Sequence, residues 1–69
     1  MRIAETLDDL PVGTPIEIEG AYETYKGLIV EAGNCNGGYV VILFTDNHKI
    51  IYYERELDDE EIMIVEVAT

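Results

Sequence analysis

The sequence predicts an all-β domain, a small and strongly bent five-stranded barrel with short acidic turns. Three observations carry that expectation. Apolar and polar residues alternate with a period of two at Pro15 to Glu19, the pattern of a half-buried strand. Short runs rich in Val, Ile and Tyr recur along the chain, separated by Gly, Asn and Asp, which punctuate strands. At 69 residues the chain has room for one domain and no second. It reads as a lead-in over 1–14 and a barrel over 15–67.

Leu7-Asp8-Asp9-Leu10 suits one helical turn, and Pro11 to Pro15 ends it. The first strand, Pro15 to Glu19, sets Ile16 and Ile18 against Glu17 and Glu19. Gly20 to Tyr25 is a polar connection. The second strand runs from about Tyr25 to Ala32, with Leu28 and Val30 sharing a face and Gly27 marking a bulge or bend. Gly33 to Gly38 forms a loop, with Asn36-Gly37 as its turn signal. The third strand covers Tyr39 to Thr45, and Asp46-Asn47 fits a two-residue hairpin turn. The fourth strand covers Lys49 to about Arg55. Leu57 to Glu61 is a short acidic turn, and the fifth strand spans Ile62 to Val67.

The order of these elements, one longer polar loop followed by strands on tight turns, is that of an SH3-like barrel. Val12-Gly13-Thr14-Pro15-Ile16, Tyr25-Lys26-Gly27-Leu28-Ile29-Val30 and Tyr39 to Asn47 together resemble the Tudor and KOW branch of that superfamily. The resemblance covers about Val12 to Val67 and rests on strand and glycine positions. It implies a fold. It also implies a place to look for an aromatic cage that binds methylated Lys or Arg: Tyr22, Tyr25, Phe44 and Asp46 would meet at one end of the barrel. The alternative is that the tyrosines cover apolar edges with their hydroxyls in water.

Charge narrows the chemistry further. Four Lys and Arg stand against 15 Asp and Glu, a net charge of −11. Direct nucleic-acid binding needs clustered cations at phosphates, and Arg2, Lys26, Lys49 and Arg55 are dispersed in sequence. An anionic membrane surface repels such a chain. The longest apolar run, Tyr39 to Phe44, falls far short of the roughly 20 residues of a membrane span. Hydrophobic residues at 48% exceed what a disordered acidic tail carries. The single cysteine, Cys35, has no internal disulfide partner, so a reducing, cytoplasmic setting fits.

Catalytic signals are absent. Cys35 and His48 belong to different loops, and the chain has no Ser or Trp. One Cys and one His are too few for zinc. Asp58, Asp59, Glu60 and Glu61 lack the spacing of a calcium loop, so the run reads as a solvated turn. No catalytic residue, metal or cofactor is expected.

The expected function is non-enzymatic binding of a basic protein. Glu17, Glu19, Glu54, Glu56, Asp58, Asp59, Glu60 and Glu61, with Tyr52, are the candidate contact residues. Carboxylates on a compact domain can present themselves to a surface shaped for phosphates, so a nucleic-acid-handling enzyme is the partner class they fit. A short acidic domain of this kind resembles a viral or mobile-element inhibitor that mimics nucleic acid. The bland alternative is that the carboxylates serve solubility.

A second expectation comes from strands apolar on both faces. Val40, Ile42 and Phe44 oppose Tyr39, Val41 and Leu43. Ile51 and Tyr53 oppose Ile50 and Tyr52, and Met63, Val65 and Val67 oppose Ile62 and Ile64. One barrel has one interior. The remainder lies under loops and termini, or forms a homodimer or partner interface on the third to fifth strands. On this reading the chain is a structural accessory subunit or homo-oligomer.

Overall fold

The computed structural model describes residues 2–65, apart from the side chain of Asp58. Six strands form one antiparallel sheet: β1 (Arg2–Ile3), β2 (Pro15–Glu19), β3 (Thr24–Gly33), β4 (Tyr39–Phe44), β5 (Lys49–Tyr53) and β6 (Met63–Ile64). Their spatial order is β1-β6-β2-β3-β4-β5. Three 3-10 turns, at Leu7–Asp9, Cys35–Gly37 and Glu54–Asp58, complete the described structure. β1 and β5 are the two edges and do not pair with each other. The sheet is therefore open and six-stranded, where the sequence predicts five strands and closure.

The added strand is β1. Its backbone pairs Arg2 with Ile64 and Ile3 with Met63, and the Ala4 amide continues the ladder to the Ile62 carbonyl at 2.8 Å. Two residues carry no periodicity, so the sequence pattern has nothing to register. The Leu7–Asp9 turn is fastened by Asp9, whose carboxylate accepts from the amides of Glu5 at 3.0 Å and Thr6 at 3.3 Å. Those two hydrogen bonds, with a smaller contribution from Arg2, hold the Asp9 carboxyl below the usual carboxylate range.

β2 occupies Pro15–Glu19 as predicted, with Ile16 and Ile18 buried. In β3 the inward residue is Ile29, fully buried, while Leu28 is 42% exposed. The register shift lies between Ile29 and Glu31, away from Gly27. Gly27 instead permits close packing: a Cβ there would stand 2.7 Å from Ile42 Cγ2. In the loop before β4, Asn36, Gly37 and Gly38 all have positive φ, which these residue types tolerate.

The β4–β5 connection is a three-residue loop, Thr45 to Asn47, and not the two-residue turn predicted. The Asn47 amide donates to the Phe44 carbonyl at 2.9 Å, and the Phe44 amide to the His48 carbonyl at 2.8 Å. Asn47 at φ 71 supplies the left-handed residue that follows the turn in such loops. β4 ends at Phe44 and β5 at Tyr53, each shorter than its predicted strand. The predicted fifth strand reduces to Met63–Ile64; Val67 lies outside the described residues.

Leu10, Ile16, Ile29, Val40, Ile42 and Ile62 form the fully buried centre. Ile18, Phe44, Tyr52, Ile64 and Ala4 extend the same cluster, and Leu7 and Leu57 pack against it. Residues from β2 through β6 thus meet in one core, which requires the sheet to curl around it. β6 pairs with β2 as well as β1, matching Ile16 to Ile64 and Glu17 to Met63. That pairing brings the chain's last described strand back beside its first long one.

Candidate functional site

Two adjoining concavities occupy the end of the sheet where the β2–β3 and β4–β5 hairpins turn. The first, of about 250 Å³, is lined by Ile18, Tyr25, Phe44, Ile50 and Tyr52, with Glu19, Asp46, His48 and Glu60 also on its walls. Tyr25 and Phe44 meet edge-on, with ring centroids 6.3 Å apart and planes at 74°, a favourable aromatic geometry. Ile18 and Tyr25 are register partners, so both face the core side. The sequence expectation for Tyr25, Phe44 and Asp46 matches this arrangement. Tyr22 does not belong to it and is fully exposed.

Tyr52 departs from its expected edge position. It is 7% exposed, and burial pushes its phenol up from the ordinary value of 10.0; the Glu60 carboxylate adds to that rise by hydrogen bonding and charge, and Glu56 by charge. Asp46 is held below the usual carboxylate range because its carboxylate accepts from the His48 amide at 3.1 Å. The His48 ring adds a second contact, Nδ1 to Asp46 Oδ2 at 2.8 Å. The turn thereby holds an ionised carboxylate in place beside the aromatic walls.

The second concavity, of about 570 Å³, is lined by Glu17, Glu19, Asp59 and Glu61 with Ile3, Thr24 and Met63. Its construction follows from the return of β6. Glu17 pairs with Met63 and Met63 with Ile3, so the outward face of β2 meets the acidic turn that precedes β6. Glu19 lines both concavities, joining them into one carboxylate-lined surface. Carboxylates gathered on one surface make its potential negative, which attracts cationic ligands.

Of the predicted contact residues, Glu17, Glu19, Asp59, Glu60, Glu61 and Tyr52 line this surface. Glu56 lies near enough to Tyr52 to act on it through charge. Glu54 is apart, beside Gly38. The side chain of Asp58 lies outside the described residues. Ile18 and Ile50 belong to the pocket without having been named as contacts, and His48 was weighed only beside Cys35; the ladder from β2 through β3 and β4 to β5 places them there.

Cys35 and His48 stand beyond opposite ends of the six-residue β4, a strand about 20 Å long. Among the described residues no group of three or more His, Cys, Asp or Glu is arranged to hold a metal ion, and no helix is long and apolar enough to cross a membrane. Comparison with protein-family models, curated proteins and solved structures returns no significant match.

Proposed function

We propose that this chain is a non-enzymatic acidic binding domain with an SH3-like arrangement, whose ligand is a basic segment of a partner protein. The observation that carries this reading is the sharing of Glu19 between the carboxylate groove and the aromatic pocket. A Lys or Arg side chain would place its charge among Glu19, Asp46 and Glu60 and its apolar stem against Tyr25, Phe44 and Tyr52. Aromatic faces and carboxylates both attract cations. Neighbouring basic residues would follow the groove along Glu17, Asp59 and Glu61. The SH3-like arrangement is supported by the strand order: four strands on successive hairpins, a 3-10 turn, and a last strand returning to the first of them. A nucleic-acid-handling protein is the partner class whose surface such carboxylates fit, and inhibition by mimicry is the strongest form of the proposal.

The test is a titration of a fluorescent Arg/Lys-rich peptide, followed by anisotropy, at about 50 mM and about 200 mM salt. Neutralising Glu17, Glu19, Asp59, Glu60 and Glu61 together to Gln or Asn is expected to weaken binding at low salt at least about tenfold, or about 1.4 kcal/mol. A charge-matched control neutralises Glu5, Asp8, Glu23, Glu31 and Glu54, which are exposed and outside both concavities. Equal weakening by the two sets would reduce the effect to net charge and sink the site.

A further inference from the structure

The free edge of β5 carries a specific geometry. The Phe44 amide donates to the His48 carbonyl, which sets the parity of the β4–β5 ladder. Ile42 pairs with Ile50 and Val40 with Tyr52 in that same hydrogen-bonded phase. The backbone groups of Lys49, Ile51 and Tyr53 therefore point away from β4. Among the described residues no strand meets them. Natural edges are blunted by charge, proline or a bulge. β5 reads Lys-Ile-Ile-Tyr-Tyr, with one charge at one end and residues that favour strands throughout.

The side chains at these positions share the outward face with their β4 partners. Ile51 opposes Val41, Tyr53 opposes Tyr39, and Lys49 opposes Leu43, which itself opposes Leu28. Ile51 is 49% exposed and Leu28 42%. Charge distinguishes this region from the rest of a chain at −11. Lys49 is on it and the Arg55 guanidinium lies 5.3 Å from the Tyr53 ring centroid, while Glu31 stands opposite Val41 on the same face. Two of the four basic residues flank the open backbone edge, whereas Lys26 is two strands in and opposite Glu17. Repulsion between two copies is eased where Lys49 and Arg55 offset the neighbouring carboxylates.

We infer that two copies join by antiparallel pairing of β5 with β5, about a two-fold axis at Ile51. In that register Ile51 faces Ile51 of the second copy and Lys49 faces its Tyr53. Each opposed pair then has its hydrogen-bonding groups turned toward the other. No like charges are opposed, and Lys49 meets an aromatic ring, a favourable cation–π contact. The Ile51 side chains meet on the outward face and extend the apolar strip across the axis. The occupant of this edge is thus the same chain, and the carboxylate groove along Glu17, Asp59 and Glu61, away from β5 in the strand order, is not part of the contact.

The experiment follows amide hydrogen exchange of the full chain from micromolar to millimolar concentration, with mass by sedimentation in parallel. Exchange at Lys49, Ile51 and Tyr53 is expected to slow with concentration, on the order of tenfold or more. Ile50 and Tyr52, already bonded to β4, keep their protection throughout. Ile51→Lys opposes two cations at the axis and is expected to leave a monomer with an unchanged circular dichroism spectrum, since the side chain is half exposed. Three results would overturn the inference: a monomeric mass at every concentration, protection at Lys49, Ile51 and Tyr53 that ignores concentration, or an Ile51→Lys chain that dimerises as before. Loss of the dimer in Leu28→Lys but not in Ile51→Lys would also overturn it, by moving the contact off the edge.

Discussion

The outward surface of one sheet carries two opposite chemistries. Over β2 and β6 its residues are Glu17, Glu19 and Met63, joined by Asp59 and Glu61. Over β3, β4 and β5 they are Leu28, Leu43, Val41 and Ile51, with Lys49 at one end, Glu31 opposite Val41, and Lys26 opposite Glu17 at the boundary between the halves. The core is common to both halves, so neither surface is a by-product of burial alone. Position in the sheet explains part of the contrast. β4 lies between β3 and β5, and its outward Val41 is 7% exposed although it stands outside the core cluster. A central strand can be apolar on both faces because its neighbours shade it. β5 has a neighbour on one side only, and its outward Ile51 remains half exposed. Val41 is thus covered by its neighbouring strands and not by the loops and termini expected, while Ile51 is left exposed.

The largest effect should come from the shared core. Ile42 is fully buried, and Ile42→Ala is expected to cost about 2–5 kcal/mol, read from urea unfolding. A small domain has little more than that in total, so much of the population would unfold at room temperature. Val41→Ala removes an outward side chain and should cost nearer 1 kcal/mol, close to the average point substitution. Equal costs for the two would mean that the outward face of β4 is a second core, and the contrast between faces would lose its basis.

Next in size is the response of the acidic half to charge. Neutralising Glu17, Glu19, Asp59, Glu60 and Glu61 should raise the thermal midpoint by several degrees, because it removes mutual repulsion. Added salt should raise the wild-type midpoint and raise that variant's less. A midpoint that falls on neutralisation would show the carboxylates to be fastened by structural partners, leaving no strained surface for a cation to relieve.

Local pattern made the buried half of this surface legible and left the convergence out. The alternation of Pro15 to Glu19 marks β2 and its inward isoleucines without reference to any other segment. Leu28, Ile29 and Val30 form an unbroken apolar run, so periodicity cannot say which faces inward; packing against Ile42 selects Ile29, and the register shift beside Val30 follows. Glu17 and Glu61 are distant in sequence and meet only because β6 returns to β2. Tyr25 and Tyr52 likewise come together through strand pairing. Long-range pairing of that kind has no local signature, which is why the acidic residues were recognisable as candidates while their grouping was not.

Acidification separates the two halves differently. Asp9 and Asp46 are held below the usual carboxylate range by backbone amides. A carboxyl depressed in the folded state contributes stability above its unfolded value of about 3.9, which is lost as pH falls through the folded value. Stability is therefore expected to fall as pH drops below about 4, in urea unfolding across that range. Asp46→Asn should reduce that acid limb, and a limb unchanged by the substitution would show that the His48 amide does not hold the Asp46 carboxylate.

The smallest effect at neutral pH belongs to Tyr52, and it isolates the buried wall of the pocket from its exposed rim. The phenol is pushed above its ordinary value of 10.0, by burial first and by Glu60 second. Below that value both folded and unfolded chains hold the proton. As pH rises past about 10, the unfolded chain loses it first, so stability must fall toward alkaline pH. Tyr52→Phe keeps the ring against Phe44 and Ile18 and removes the ionising group. It should cost only about 1 kcal/mol at neutral pH and flatten the alkaline limb between about pH 9 and about pH 11. The unchanged ring should also preserve peptide binding, whereas Tyr25→Ala, which removes one aromatic wall, should weaken it. If Tyr52→Phe abolished binding while leaving stability intact, the hydroxyl and its link to Glu60 would be the recognition element, and the aromatic wall would be secondary.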